Sequence, residues 1–240
     1  MAEVIVNKNL QSENNRIAAA NRKIFQDHGI WCLNIMGSPG AGKTALLEKM
    51  AQELKGKYEL AVIEGDMATT NDRDRVLRNG IPAVQVTTKQ YKSSCHMNAF
   101  MVSDVLPLFE LDKLDILIIE NVGNLVCPAE FDLGEDKRLV VLSITEGEEK
   151  PLKYPVMFNR ASVVALNKMD LQFVLNADLP LTEKNILACN PAAEIFQVSA
   201  RAEGGLDSLI IWIESQVAAK KAAVVARPKK ARAIEKKTKK

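Results

Sequence analysis

WCLNIMGSPGAGKTALLEKM, residues 31–50, passes from an apolar β-rich run through a glycine-rich octet into an amphipathic helical pattern. The octet, Gly37, Ser38, Pro39, Gly40, Ala41, Gly42, Lys43 and Thr44, matches G-x-x-x-x-G-K-[ST] in the strand–loop–helix setting that this motif requires. Gly37, Gly40 and Gly42 let the backbone curl until its N–H groups converge on phosphate oxygens. The following helix adds the positive end of its dipole. Lys43 supplies a point charge for terminal phosphates, and the Thr44 hydroxyl is placed to ligate Mg²⁺. A chance glycine-rich turn would not bring the correct strand and helix with it.

Working outward, six further short apolar runs read as buried strands: 58–64, 82–86, 114–120, 138–145, 161–167 and 193–198. Amphipathic stretches such as TALLEKMAQEL and FMVSDVLPLF lie between them. Nearly continuous apolar strands alternating with helices predict an α/β fold, a mostly parallel sheet covered by helices on both faces. Ahead of the first strand, NLQSENNRIAAANRKIFQDHG predicts one helix ending at Gly29. In such sheets ligands bind at the carboxyl ends of the strands, so the chemistry is sought there.

Four of those ends carry it. NKMD, with Asn167, Lys168 and Asp170, follows the sixth strand. A carboxylate here accepts two hydrogen bonds from guanine, N1–H and the exocyclic amine, which adenine does not offer in that geometry. Ser199, Ala200 and Arg201 after the seventh strand fit a backbone contact to the same base. Asp66 ends the second strand; Glu120 ends the fourth and is followed by Gly123. Two carboxylates beside a phosphate loop suit Mg²⁺-assisted phosphoryl transfer. Thr44, Asp66 and Glu120 are the Mg²⁺ candidates, direct or through water. Lys43, Asp66 and Glu120 are the catalytic ones, and the Gly123 N–H is a γ-phosphate contact. TTNDRDRV, residues 69–76, reads either as a switch containing Asp72 or as a helix cap by Asn71 or Asp72.

Composition narrows the class. No apolar run approaches the ~20 residues of a membrane span. The N-terminus lacks the layout of a signal peptide, and four dispersed cysteines do not read as a disulfide framework. A cytoplasmic protein is the expectation. Residues 217–240 hold 10 Lys/Arg against one Glu, whereas the rest holds 22 basic and 29 acidic residues. The expected organisation is a helical segment over 1–30, a P-loop domain over 31–216 and a basic tail over 217–240. That tail is expected to stay helical for a turn or two beyond Trp212 and then to be disordered. No aromatic residue accompanies its charges to stack on bases, which argues against a nucleic-acid role.

SSCHMNAF, residues 93–100, places a cysteine beside one of only two histidines. Cys127 follows seven residues after Glu120. With Cys95 and His96 at the opening of a helix that leads from the third strand toward the fourth, all three groups can meet at the sheet's carboxyl edge. A helix N-terminus would also lower the thiol pKa. Two thiolates and an imidazole suit Ni²⁺ or Zn²⁺ and leave a coordination position for water or for a second copy of the chain. Cys32, Cys189, His28 and Met97 have no such companions and read as packing residues.

GSPGAGKT, IEGD, the Cys-His pair, ENVGNLVCPAEFDLGE, EGEEKPLKYP, NKMD and VSARAEGG together resemble the hydrogenase nickel-incorporation GTPases, the HypB family, over about residues 10–216. The resemblance implies a SIMIBI-type P-loop fold, slow GTP hydrolysis and a homodimer linked to GTP or metal. It implies help in placing Ni²⁺ into nickel-iron hydrogenase, and in some bacteria urease. The partners would be a hydrogenase maturation protein and the hydrogenase large subunit. The family's G-domain metal ligands match Cys95, His96 and Cys127. The N-terminal cysteine motif or histidine-rich stretch of many members has no counterpart here, so no separate nickel-storage role is expected. TTKQYKSSCHMNA, residues 87–99, stands where the family has a shorter loop ending Gly-Cys-His-Leu-Asp-Ala. Two rival readings are a P-loop kinase and a nucleotide-switched protein using its basic tail on nucleic acid. The first needs a phosphoryl-acceptor pocket that no motif supplies and has no use for Cys127; metal titration against a salt-dependent DNA-binding assay separates the two.

Overall fold

A computed structural model describes residues 2–66, 76–77, 80–91 and 95–226, with side chains from residue 11 onward. Among them, seven strands form one sheet: β1 (Trp31–Gly37), β2 (Leu60–Asp66), β3 (Ala83–Thr87), β4 (Ile116–Glu120), β5 (Lys137–Ser143), β6 (Val163–Asn167) and β7 (Glu194–Gln197). These are the seven apolar runs of the sequence. Their order is β3-β2-β4-β1-β5-β6-β7, and every neighbouring pair is parallel. The sheet is therefore wholly rather than mostly parallel. Parallel neighbours need crossovers, and the helices between the strands supply them.

The longer helices are α1 (Ala2–His28), α2 (Lys43–Leu54), α3 (Ala99–Val105), α4 (Leu179–Cys189) and α5 (Asp207–Val225). Successive side chains of a strand point to opposite faces, and β1 shows the result. Trp31, Leu33 and Ile35 pack with Leu46, Leu47 and Met50 of α2 and Leu209, Trp212 and Ile213 of α5. Cys32 packs on the other face with Phe25 of α1 and Met101 and Val102 of α3. Each large side chain buried this way contributes about 1.5–3 kcal/mol. Trp31 meets Trp212 edge to face at 6.1 Å, and the Trp212 Nε1–H donates to Glu194 at 2.7 Å.

Helix α5 continues well past the turn or two expected beyond Trp212. Lys220 Nζ contacts both carboxylate oxygens of Asp136 at 2.6 and 2.9 Å, and Lys221 pairs with Asp115 at 2.6 Å. These first tail charges hold α5 onto acidic groups of the sheet. Residues 227–240 lie outside the described ones, as does the Asn71–Asp72 candidate switch. No helix among the described residues is long and apolar enough to cross a membrane.

Candidate nucleotide and metal site

All parallel strands end at one edge, and β1 brings its loop to the middle of it. Gly42 takes φ 97°, and a Cβ there would stand 2.5 Å from Asn167 Nδ2, so both its backbone and its neighbour require glycine. Lys43 is buried, its Nζ donating to Gly37 O at 3.4 Å and Ser38 O at 3.2 Å. The Thr44 hydroxyl donates to Glu120 Oε1 at 2.8 Å. Pro39, Gly40, Gly42, Lys43, Thr44, Asp66, Glu120 and Gly123 all line one cavity of about 420 Å³. Gly123 lies directly on the loop: a Cβ there would be 3.2 Å from Pro39. Asn124 forms an antiparallel bridge with Gly37. The segment after β4 is thus fastened to the phosphate loop.

A second hollow, lined by Gly42, Ala45, Asn167, Lys168, Asp170, Leu171, Ala200 and Arg201, adjoins the first through Gly42 and Ala45. Asn167 Nδ2 donates to Ala41 O at 2.9 Å, fixing β6 to the loop. Lys168 adopts φ 65° and reaches Gly40 O at 2.8 Å. Ser199 Oγ donates to Asp170 Oδ1 at 2.6 Å and accepts the Arg201 and Ala202 N–H groups, both at 3.2 Å. One Asp170 oxygen is therefore oriented by the turn after β7. The role expected of Ser199 was a backbone one; here its side chain holds the carboxylate.

Cys95, His96 and Cys127 come together as expected: one ligand atom from each lies within 4.8 Å of the others. Two sulfur atoms on one tetrahedral ion sit roughly 3.8 Å apart, given metal–sulfur bonds of about 2.3 Å. The cluster is close to ligating geometry. Cys95 Sγ is 3.4 Å from His96 Nδ1, and the His96 ring stacks on Phe131 at 4.0 Å and 12°. Burial lowers the imidazole pKa, with Glu130 working weakly against it, so the ring favours the neutral, ligating form.

Two local expectations are corrected. Cys95 and His96 precede α3 rather than open it; Asn98 caps that helix by accepting the Met101 N–H at 3.0 Å. The Cys95 thiol is not acidified but pushed up to about 11, by burial first and then by the hydrogen bond and charge of Cys127. A helix dipole acts within about one turn, and the loop leaves Cys95 outside it. Met97 is fully buried, as expected of a core residue, but in the loop before α3. Cys32 is fully buried, and the half-buried Cys189 thiol donates to Pro151 O at 3.4 Å. His28 is not core: it pairs with Asp112 at 2.8 Å.

Several residues of the site escaped the sequence reading. Asn121, buried beside Glu120, accepts the Met97 N–H at 3.1 Å and its own neighbour Val122 N–H at 3.0 Å. Arg138 is ion-paired with Glu135 at 2.6 Å and donates to Ala129 O and Phe131 O, both at 3.1 Å, bracing the segment that carries Cys127. Glu64, buried on β2, lies in register with Glu120 and lines the phosphate cavity. The available signal was a polar residue inside or just after an apolar run, as in AVIEGD and ILIIEN.

Residues 32–197 match the family model described as CobW/HypB/UreG, nucleotide-binding domain. The Escherichia coli K12 hydrogenase maturation factor HypB is 48% identical over 208 residues, covering 85% of this chain and 69% of that protein. The crystal structure of HypB from Helicobacter pylori in complex with nickel superposes with a TM-score of 0.80 at 36% identity, covering 85% of this chain and 95% of that one. The signal recognition particle receptor FtsY from Elizabethkingia anophelis, at 16% identity and a TM-score of 0.51 over 72% of this chain and 59% of that one, shares the fold alone. With a P-loop of SIMIBI type, an adjoining hollow lined by Asn167, Lys168 and Asp170, and a thiol–imidazole cluster at one sheet edge, the chain belongs to the CobW/HypB/UreG nucleotide-binding family and, within it, to the HypB hydrogenase maturation factors.

Proposed function

We propose that this protein is a GTP-hydrolysing nickel metallochaperone that assists Ni²⁺ insertion into nickel-iron hydrogenase, with urease a further target. The observation that carries the reading is the short path from Glu120 to Cys127: it leaves the phosphate cavity, crosses the loop at Gly123 and ends in the thiol–imidazole cluster. Nucleotide and transition metal address one segment.

In the proposed chemistry, water attacks the γ-phosphorus of GTP, the bond to the β–γ bridging oxygen breaks, and GDP and phosphate leave. Lys43 exchanges its loop carbonyls for the terminal phosphates. Asp66 orients the water, and the Gly123 N–H contacts the γ-phosphate. Asp170, steadied by Ser199, accepts the guanine N1–H and exocyclic amine, while Asn167, Lys168, Ala200 and Arg201 wall the base. The donor set fits Mg²⁺, since the Thr44 hydroxyl and Glu120 carboxylate already share a hydrogen bond on the cavity wall, with Asp66 alongside. Bound there, the ion would neutralise phosphate charge. The phosphate loop, residues 37–44, itself holds no arginine to stabilise the transition state, which supports slow turnover.

Cys95, His96 and Cys127 would take Ni²⁺ as cargo, and their chemistry also admits Zn²⁺. Three ligands leave room for water or for a second copy, supporting a homodimer linked to GTP or metal. The hydrogenase large subunit and a maturation protein are the partners this reading requires. A kinase would leave the cluster without purpose, and the nucleic-acid reading loses two charges, since Lys220 and Lys221 are engaged by Asp136 and Asp115. The test is Ni²⁺ titration of the nucleotide-free, GDP and GTP-analogue states with oligomer mass read in parallel. Absence of Cys127-dependent nickel binding in every state would overturn the reading.

A further inference from the structure

The metal cluster joins two segments separated by about thirty residues of chain, and no covalent link sets their distance. Helix α1 touches both. Asn14 accepts the Ala99 N–H on Oδ1 at 2.9 Å and donates Nδ2 to Asp132 O at 2.8 Å. Asn21, fully buried, donates to Ala99 O at 2.9 Å and to Leu133 O at 3.1 Å. Arg22 contacts both oxygens of Asp132 at 2.7 and 2.8 Å. Ala99 stands three residues past His96. Asp132 follows Phe131, whose ring lies flat on the His96 imidazole.

The approach is close enough to demand a particular residue. Gly134 takes φ 96°, and a Cβ there would come within 2.7 Å of Ala18 O and of Asn21 Cβ. Only glycine lets the loop after Cys127 lie this near α1. Each asparagine amide spans from one ligand-bearing segment to the other, so shortening it releases both ends at once. Metal sites lose affinity when supporting contacts let ligands drift by about an ångström.

We infer that α1 is the positioning element of the metal cluster, with Asn14, Asn21 and Arg22 as positioning residues that set nickel affinity by holding the 95–99 and 127–134 segments at ligating distance. The inference rests on reading Cys95, His96 and Cys127 as the nickel site. It makes α1 part of that site's support rather than a separate segment ahead of the nucleotide-binding domain.

The experiment titrates Ni²⁺ into the full chain and into Asn14→Ala, Asn21→Ala and Arg22→Gln, following the near-ultraviolet thiolate-to-nickel absorption, and measures GTP-analogue affinity on the same samples. Cys127→Ala and Arg16→Ala are the references, the latter an exposed α1 residue that pairs with Glu13 among the described residues. The expected result is a 10- to 100-fold loss of nickel affinity in the asparagine variants with an altered absorption band. Arg22→Gln is expected to lose less, Arg16→Ala nothing, and nucleotide affinity is expected to hold throughout. If Asn21→Ala does not fold, Asn14→Ala and Arg22→Gln still decide. Unchanged nickel affinity in those two, or an equal fall in nickel and nucleotide affinity, overturns the inference while leaving the nickel site standing. Loss of Cys127-dependent binding in the unaltered chain overturns both.

Discussion

Asn121 Oδ1 accepts the Met97 N–H at 3.1 Å, so the residue after Glu120 is tied to the residue after His96. Asn121 also lines the phosphate cavity. The end of β4 therefore meets the metal cluster twice, through this bond and through the chain that runs past Gly123 to Cys127. A shift driven by a γ-phosphate at Gly123 has a physical route to both ligand segments.

Nickel affinity is expected to differ between the GDP and GTP-analogue states by about 5- to 150-fold, a coupling of about 1–3 kcal/mol. Reciprocity requires nickel to change GTP-analogue affinity by the same factor. Cys127→Ala should weaken nickel binding and remove most of the difference, and Asn121→Ala should shrink it while nucleotide still binds. Isothermal titration of both ligands in both orders measures it. Identical nickel affinity in the two nucleotide states would show a static metal site.

GTP is expected to bind far more tightly than ATP, because the Asp170 carboxylate, exposed until a base covers it, would face adenine without its two hydrogen bonds; sites built on such bonds discriminate by roughly 10⁴-fold. Asp170→Ala should abolish the preference. Ser199→Ala should lower GTP affinity several-fold, since Asp170 then loses its 2.6 Å partner. Competition between the two nucleotides reads both effects, and equal affinities in the unaltered chain would contradict the guanine assignment.

Nickel binding is expected to tighten as pH rises from 6 to 8. The Cys95 thiol, raised to about 11, is protonated throughout that range, so its proton must leave when metal binds. One released proton strengthens apparent affinity about tenfold per pH unit. The lowered His96 adds nothing above neutral pH, because its ring is already deprotonated there. A pH-independent nickel affinity would exclude Cys95 as a ligand.

Asp136 receives Lys220 and the Cys32 N–H together, the latter at 2.9 Å. Asp136→Ala strands a largely buried ammonium and should cost on the order of 2–3 kcal/mol in urea unfolding. Removal of residues 227–240 should leave stability, GTP hydrolysis and nickel affinity nearly unchanged. A large loss in any of the three would give that stretch a role in the domain.

Local patterns were enough for much of this protein. Each strand is an apolar run bounded by turn residues, and the glycines and lysine of 37–44 carry their reason for spacing within eight residues. Asp66, Glu120 and Asp170 were found because a parallel sheet delivers its strand ends to one edge, so a carboxylate after a strand is already placed. Only tertiary structure could decide the rest. That Asn14 and Asn21 of α1 hold segments 78 to 118 residues away follows from how α1 packs against α3 and the chain after Cys127, which no local period encodes. The raised Cys95 pKa depends on burial and on a thiol thirty-two positions distant, whereas the sequence offers only the neighbouring helix dipole. Lys220 and Lys221 look like tail charges in a row of Lys and Ala; α5 makes them structural by carrying them back to Asp136 and Asp115. Periodicity reports which face a residue occupies, and the partner across that face is set by how the chain packs.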